Sequence, residues 1–123
     1  MLLATLNIIA RNAPIEPAKL EALFRDDAQH GIRILKFYVE RSGNEAFAQE
    51  AEDLERVEGF LKDPDEALDA NTLVQLAAVC GRLQGKCAIL PTQVRGAKER
   101  DMLRRFGEEA SDLATLALAY ASA

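Results

Sequence analysis

A chain of 123 residues, 49% hydrophobic and 28% charged, suits one globular domain that holds together without disulfides or metal. Alanine and leucine dominate and aromatics are few, which favours helices. The net charge of −5 works against non-specific nucleic-acid binding by the whole surface, and no apolar run approaches the roughly 18 residues of a membrane span.

Leu2, Leu3, Leu6, Ile9 and Ala10 recur at helical spacing and predict a short first helix. It stops before Pro14, because the residue preceding a proline avoids the helical region. Arg11 follows the apolar stretch instead of preceding it, the reverse of a secretion signal. A second helix starts near Pro17, which suits a first turn. Leu20, Leu23, Phe24, Ala28, Gly31, Leu35, Tyr38 and Ser42 hold one face of it. Gly31 weakens its middle by about 1 kcal/mol relative to alanine and marks a kink or a close crossing. Gly43 suits the left-handed cap that ends it.

A third helix runs from about Glu45 to Lys62, with Phe47, Ala51, Leu54, Val57 and Leu61 inward and its acids outward. Asp63 then serves as an N-cap with Pro64 in the first helical position. Asn71 is a second candidate cap, so residues 64–84 form one helix or two, with Leu73, Leu76, Ala77, Cys80 and Leu83 inside. Gly81, Gly85 and Pro91 predict a hinge. Thr92 caps a last long helix whose stripe is Val94, Met102, Leu103, Phe106, Ala110, Leu113, Ala117 and Tyr120, with Gly107 as a bend point. No alternating strand pattern and no fixed repeat appears. The expected architecture is all-α: an antiparallel helical bundle of about five helices with short loops, one domain over 1–123.

Charge is unevenly spread. Residues 45–69 carry ten acids against Arg56 and Lys62, a net of −8; residues 82–105 carry seven bases against Glu99 and Asp101, a net of +5. A basic helix next to an acidic one is the pattern of charge-complementary neighbours in a bundle, which sets pairing more than stability. The acidic helix also suggests phosphate mimicry, although most such faces are only solvated.

Several motifs resolve into structural roles. Gly81-x-x-x-Gly85-Lys86-Cys87 approaches a phosphate-binding loop, but the spacing is one short, cysteine replaces the hydroxyl, and no strand precedes it. The expectation is that Gly81 loosens a helix end, Gly85 caps it, and Lys86 sits near the negative terminus. A helix-turn-helix at 73–90 leaves room for barely one turn of a second helix. Cys80 and Cys87 lie in a C-x6-C spacing with a single histidine in the chain, so no zinc site is expected. Both cysteines are expected as small apolar residues, with a lowered-pKa thiol at Cys87 the lesser alternative. Asp26, Asp27 and His30 cluster in sequence, yet no second Glu-x-x-His-type motif and no nearby nucleophile accompanies them.

The remaining signals concern binding. "ILKFYVE" at 34–40 and the C-terminal helix are apolar on more than one side, which marks a helix as central or as shared with a partner. The expectation is a non-enzymatic, cytoplasmic protein without cofactor, catalytic residue or metal, acting by protein–protein binding as a regulatory or inhibitory adaptor. It self-associates through Ile34, Phe37, Tyr38, Leu116 and Tyr120, by default as a two-fold homo-oligomer. The alternative is nucleic-acid or phosphorylated-ligand binding through the basic helix 95–105, using Arg95, Lys98, Arg100, Arg104 and Arg105. That run has no aromatics for base stacking.

Overall fold

The computed structural model describes residues 2–43, 45–92 and 96–123. Within them lie five α-helices: α1 Leu2–Ala10, α2 Pro17–Ser42, α3 Ala48–Lys62, α4 Ala70–Ile89 and α5 Ala97–Ser122. Single 3₁₀ turns at Glu45–Phe47 and Leu90–Thr92 lie ahead of α3 and after α4. Among the described residues there is no strand. The fold is an all-α bundle.

α2 and α5 are its two central members. α2 packs on α1, α3 and α5, and α5 packs on α1, α2 and α4. Each therefore needs apolar residues on several faces, which accounts for the alanine-rich C-terminus and for "ILKFYVE" apart from Phe37, which is 53% exposed. Where α2 crosses α5, Gly31 lets the helices close: a Cβ there would stand 3.2 Å from Leu113 Cδ1. Gly107 does the same for α5 on α4, its missing Cβ lying 3.3 Å from Cys87 Cβ, and α5 runs through it without interruption. Phe47 and Tyr38 meet over Phe106, with ring centroids 5.0 and 5.4 Å away, and Phe24 stacks on Tyr120 at 4.3 Å.

Helix ends follow local chemistry at some places and distant contacts at others. Gly43 adopts φ 56° and caps α2 as its lack of a side chain allows. Residues 63–69, by contrast, are not helical. Asp63 closes α3 instead of opening the next helix, and its Oδ1 accepts from Asp65 N–H. The true cap of α4 is Asp69, whose Oδ1 accepts from the backbone N–H and the hydroxyl of Thr72 at 2.8 and 2.9 Å. Asn71 lies inside the helix. The cause is Arg25, on α2. Its guanidinium donates to the carbonyls of Phe60, Leu61, Asp63 and Glu66, and Gln29 adds a bond to Leu61 O. Carbonyls left open at a helix C-terminus are thus satisfied from another helix, and the connection is fixed in a non-helical course.

Residues 70–89 form one helix, so the expected hinge is absent up to Ile89. Gly81 and Gly85 sit on its exposed face with open space around them. Thr92 belongs to the 3₁₀ turn, and α5 begins at Ala97. Val94 and Arg95 lie outside the described residues.

The largest departure concerns α3. Its acids do not all face water: Glu50, Asp53 and Glu58 are buried. Arg82 and Lys86 reach from α4 to Asp53 and Glu50, and Lys36 reaches from α2 to Glu58 at 3.1 Å and to Glu55. Arg56 and Lys62 complete the pairing from α3 itself. Lys86 also donates to the Ala46 carbonyl, so it ties α4 to the entry of α3 and does not serve its own helix end. The acids of α3 are thus answered by cations of α2 and α4 as well as of α3 itself.

Candidate functional site

The last turns of α2 and the first turns of α5 enclose a groove of about 600 Å³. Phe37, Tyr38, Arg41 and Ser42 form one wall; Lys98, Glu99, Asp101, Met102, Leu103 and Arg105 form the other; Leu90 from the 3₁₀ turn joins the lining. Tyr38 is anchored by its stack on Phe106, and Ser42 Oγ donates to Val39 O at 2.7 Å. Phe37 is different. It is 53% exposed, meets Tyr38 edge-on at 5.9 Å, and carries the Arg41 guanidinium 5.6 Å over its ring. Phe37 and Arg41 are four apart and so share one helix face.

The groove divides the predicted basic surface. Helical positions advance by about 100°, so Lys98 and Arg105 share one side of α5 while Arg100 and Arg104 turn to another. The second pair lines a shallower groove against α4, together with Cys87, Pro91 and Gly107. The described cations of the run therefore serve two surfaces, not one patch. Arg104 is further occupied by Asp101 and Glu108 at 2.7 Å each, and Arg105 reaches Asp101 at 3.1 Å. The Arg104 guanidinium beside Asp101 holds that carboxyl below its ordinary range, with Arg105 adding to the effect. Arg95 lies outside the described residues.

The predicted oligomer contacts separate likewise. Leu116 is fully buried and belongs to the core, a correction that follows from the central place of α5. Tyr120 is half-buried against Phe24, Tyr38 is half-buried on Phe106, and Ile34 is half-buried. Of the five, Phe37 alone presents a large exposed apolar surface. Arg41 escaped the sequence analysis, although its spacing from Phe37 carried the signal.

The other candidates do not assemble. Asp27 accepts a hydrogen bond from Thr5 on α1, and Asp26 is exposed. His30 instead lines a shallow hollow with Arg33, Ile34, Phe37, Tyr38 and Glu109. Burial pushes the Glu109 carboxyl above its ordinary range, with Asp112 raising it further and His30 opposing. Burial also pushes the thiol of Cys80 to about 12 and that of Cys87 to about 11, the opposite of an activated nucleophile. Seven residues along one helix separate the two by roughly 10 Å, too far for a disulfide. Among the described residues no group of three His, Cys, Asp or Glu side chains is placed to hold a metal, and no helix is long and apolar enough to cross a membrane. Set beside known proteins, the sequence matches no family model, no curated protein and no solved structure.

Proposed function

We propose that this chain is a non-enzymatic binding protein of the cytosol that works through protein–protein contact, as a regulatory or inhibitory adaptor, and that it self-associates through the α2–α5 groove. The observation behind this reading is Phe37. Scattered exposed apolar side chains are ordinary on a monomer. Phe37 is not isolated: it stands on the lip of a groove that also holds Leu90, Met102 and Leu103, with Arg41, Lys98 and Arg105 around it. An aromatic anchor beside an apolar floor and a charged rim is the layout of a protein contact surface.

Light scattering of the full chain at micromolar concentration tests it. The expected result is a discrete oligomer that Phe37→Ser converts to monomer with unchanged helicity. A wild-type monomer at every concentration overturns self-association. The alternative, nucleic-acid or phosphorylated-ligand binding through 95–105, is less well supported because Lys98 and Arg105 diverge from Arg100 and Arg104. Tight binding of labelled oligonucleotide at low salt, lost in Arg100→Ala with Arg104→Ala, would restore it.

A further inference from the structure

The groove carries cations on both walls, Arg41 on one and Lys98 and Arg105 on the other, against Glu99 and Asp101, of which Asp101 pairs with Arg105; the counterpart of the excess positive charge lies on the molecule itself. The 63–69 connection carries Asp63, Asp65, Glu66 and Asp69, all exposed, with Pro64 and Ala67 exposed between them. Among the described residues neither Asp65 nor Glu66 makes an ion pair, and neither does Lys98. The connection is also held in shape. Arg25 binds its backbone carbonyls, not its carboxylates, so Asp65 and Glu66 stay available while the main chain is fixed and Asp63 and Asp69 serve local caps. A pre-formed segment loses little conformational entropy when it docks.

Position decides what the two surfaces can do for each other. Arg25 places the acidic connection beside the N-terminal half of α2, and the groove lies at Phe37–Ser42 near its C-terminal end. Sixteen residues of helix between Arg25 and Arg41 span roughly 24 Å. A chain's own acidic segment is therefore at the far end of the bundle from its own groove, and the complementary charges can meet only between two copies.

We infer that self-association joins unlike surfaces: the acidic 63–69 connection of one copy seats in the Arg41/Lys98/Arg105 groove of a second copy, with Pro64 and Ala67 against the Phe37 ring. This rests on the proposed self-association and specifies its contact. Unlike surfaces give a discrete oligomer when they meet reciprocally, closing a pair, or head to tail in a closed ring. In both cases the contact weakens with salt, because its charges sit at the surface.

Two variants of the full chain test it by sedimentation velocity. Arg41→Glu with Lys98→Glu spoils the groove; Asp65→Lys with Glu66→Lys spoils the connection while leaving the Glu66 carbonyl to Arg25. Each alone is expected to weaken self-association by about tenfold or more. An equal mixture is expected to associate again, containing both variants in equal amounts. Circular dichroism checks that both variants stay helical. If the connection variant associates as strongly as wild type and Phe37→Ser does not, the groove binds another groove, and this inference fails while self-association stands. If wild type itself is monomeric, both fail. If both variants lose association and the mixture does not recover it, the two surfaces do not contact each other and the inference is again overturned.

Discussion

α3 and the first half of α5 are both charge-rich helices, yet their charges live in different surroundings. On α3, Glu50 is 1% exposed and Glu58 3% exposed, and each is met by a lysine from a neighbouring helix. On α5, Arg104 and Arg105 pair within their own helix and remain in water. The first arrangement positions one helix against two others. The second ties side chains only to their own helix and leaves them in water. A buried charge is tolerated only with its counter-charge in place, whereas an exposed pair gains little because water and salt screen it.

The sharpest way to break this contrast is Lys86→Met. It strands the Glu50 carboxylate, to which no described residue makes a directed hydrogen bond. The expected loss is about 3 kcal/mol in urea unfolding, and adding Glu50→Gln should recover most of it. Recovery absent from the double variant would mean that Lys86 matters through its bond to Ala46 and not through its charge. Arg25→Ala comes next, with an expected loss of about 2 kcal/mol. Its amide exchange should quicken across 60–66 and remain slow in α5.

Smaller effects test α4 as the strut that carries Arg82 and Lys86 to α3. Gly81→Ala and Gly85→Ala should each stabilise the protein by about 0.7 kcal/mol, since both are helical and have free space. A destabilising result would reinstate the hinge. Part of the acid pH dependence should follow Asp69, whose carboxylate is held below its ordinary range by the Thr72 backbone bond and then by the Thr72 hydroxyl, with Glu55 and Asp101 also held low by basic neighbours. A depressed folded-state pKa contributes stability above the unfolded value, near 3.8, that is lost as pH falls through the lower folded value. Asp69→Asn, still a cap, should flatten that acid slope. Smallest of all, Arg104→Ala should leave the urea midpoint in place, since both of its partners lie on its own exposed face.

Much of the helical framework was legible because its determinants are local. The Gly43 cap, the Pro17 start and the stripe Leu103, Phe106, Ala110 and Leu113 each follow from neighbours within a turn or two. After Lys62, Asp63 and Pro64 form a good local start signal that Arg25, 38 residues away at its bond to Asp63, overrides. The helical period of α3 points its acids at water because it does not reveal which neighbour brings a lysine. The groove was invisible as a unit: Arg41 and Lys98 are far apart in sequence, and the basic run looked continuous because adjacency along the chain hides the turn of the helix.

Composition and hydrophobic period alone determined that this chain is an all-α bundle, where most of its helices lie, and much of its apolar core, although Leu116 joined that core and Leu23 stayed exposed against expectation. Those outcomes depend on backbone propensity and on burial, both set within a few residues. Which helix answers which charge, where the acidic and cationic surfaces end up, and which aromatic stays exposed were decided only by tertiary packing. Coulombic and carbonyl partners are chosen by distance in space, and the fold sets that distance without regard to order along the chain.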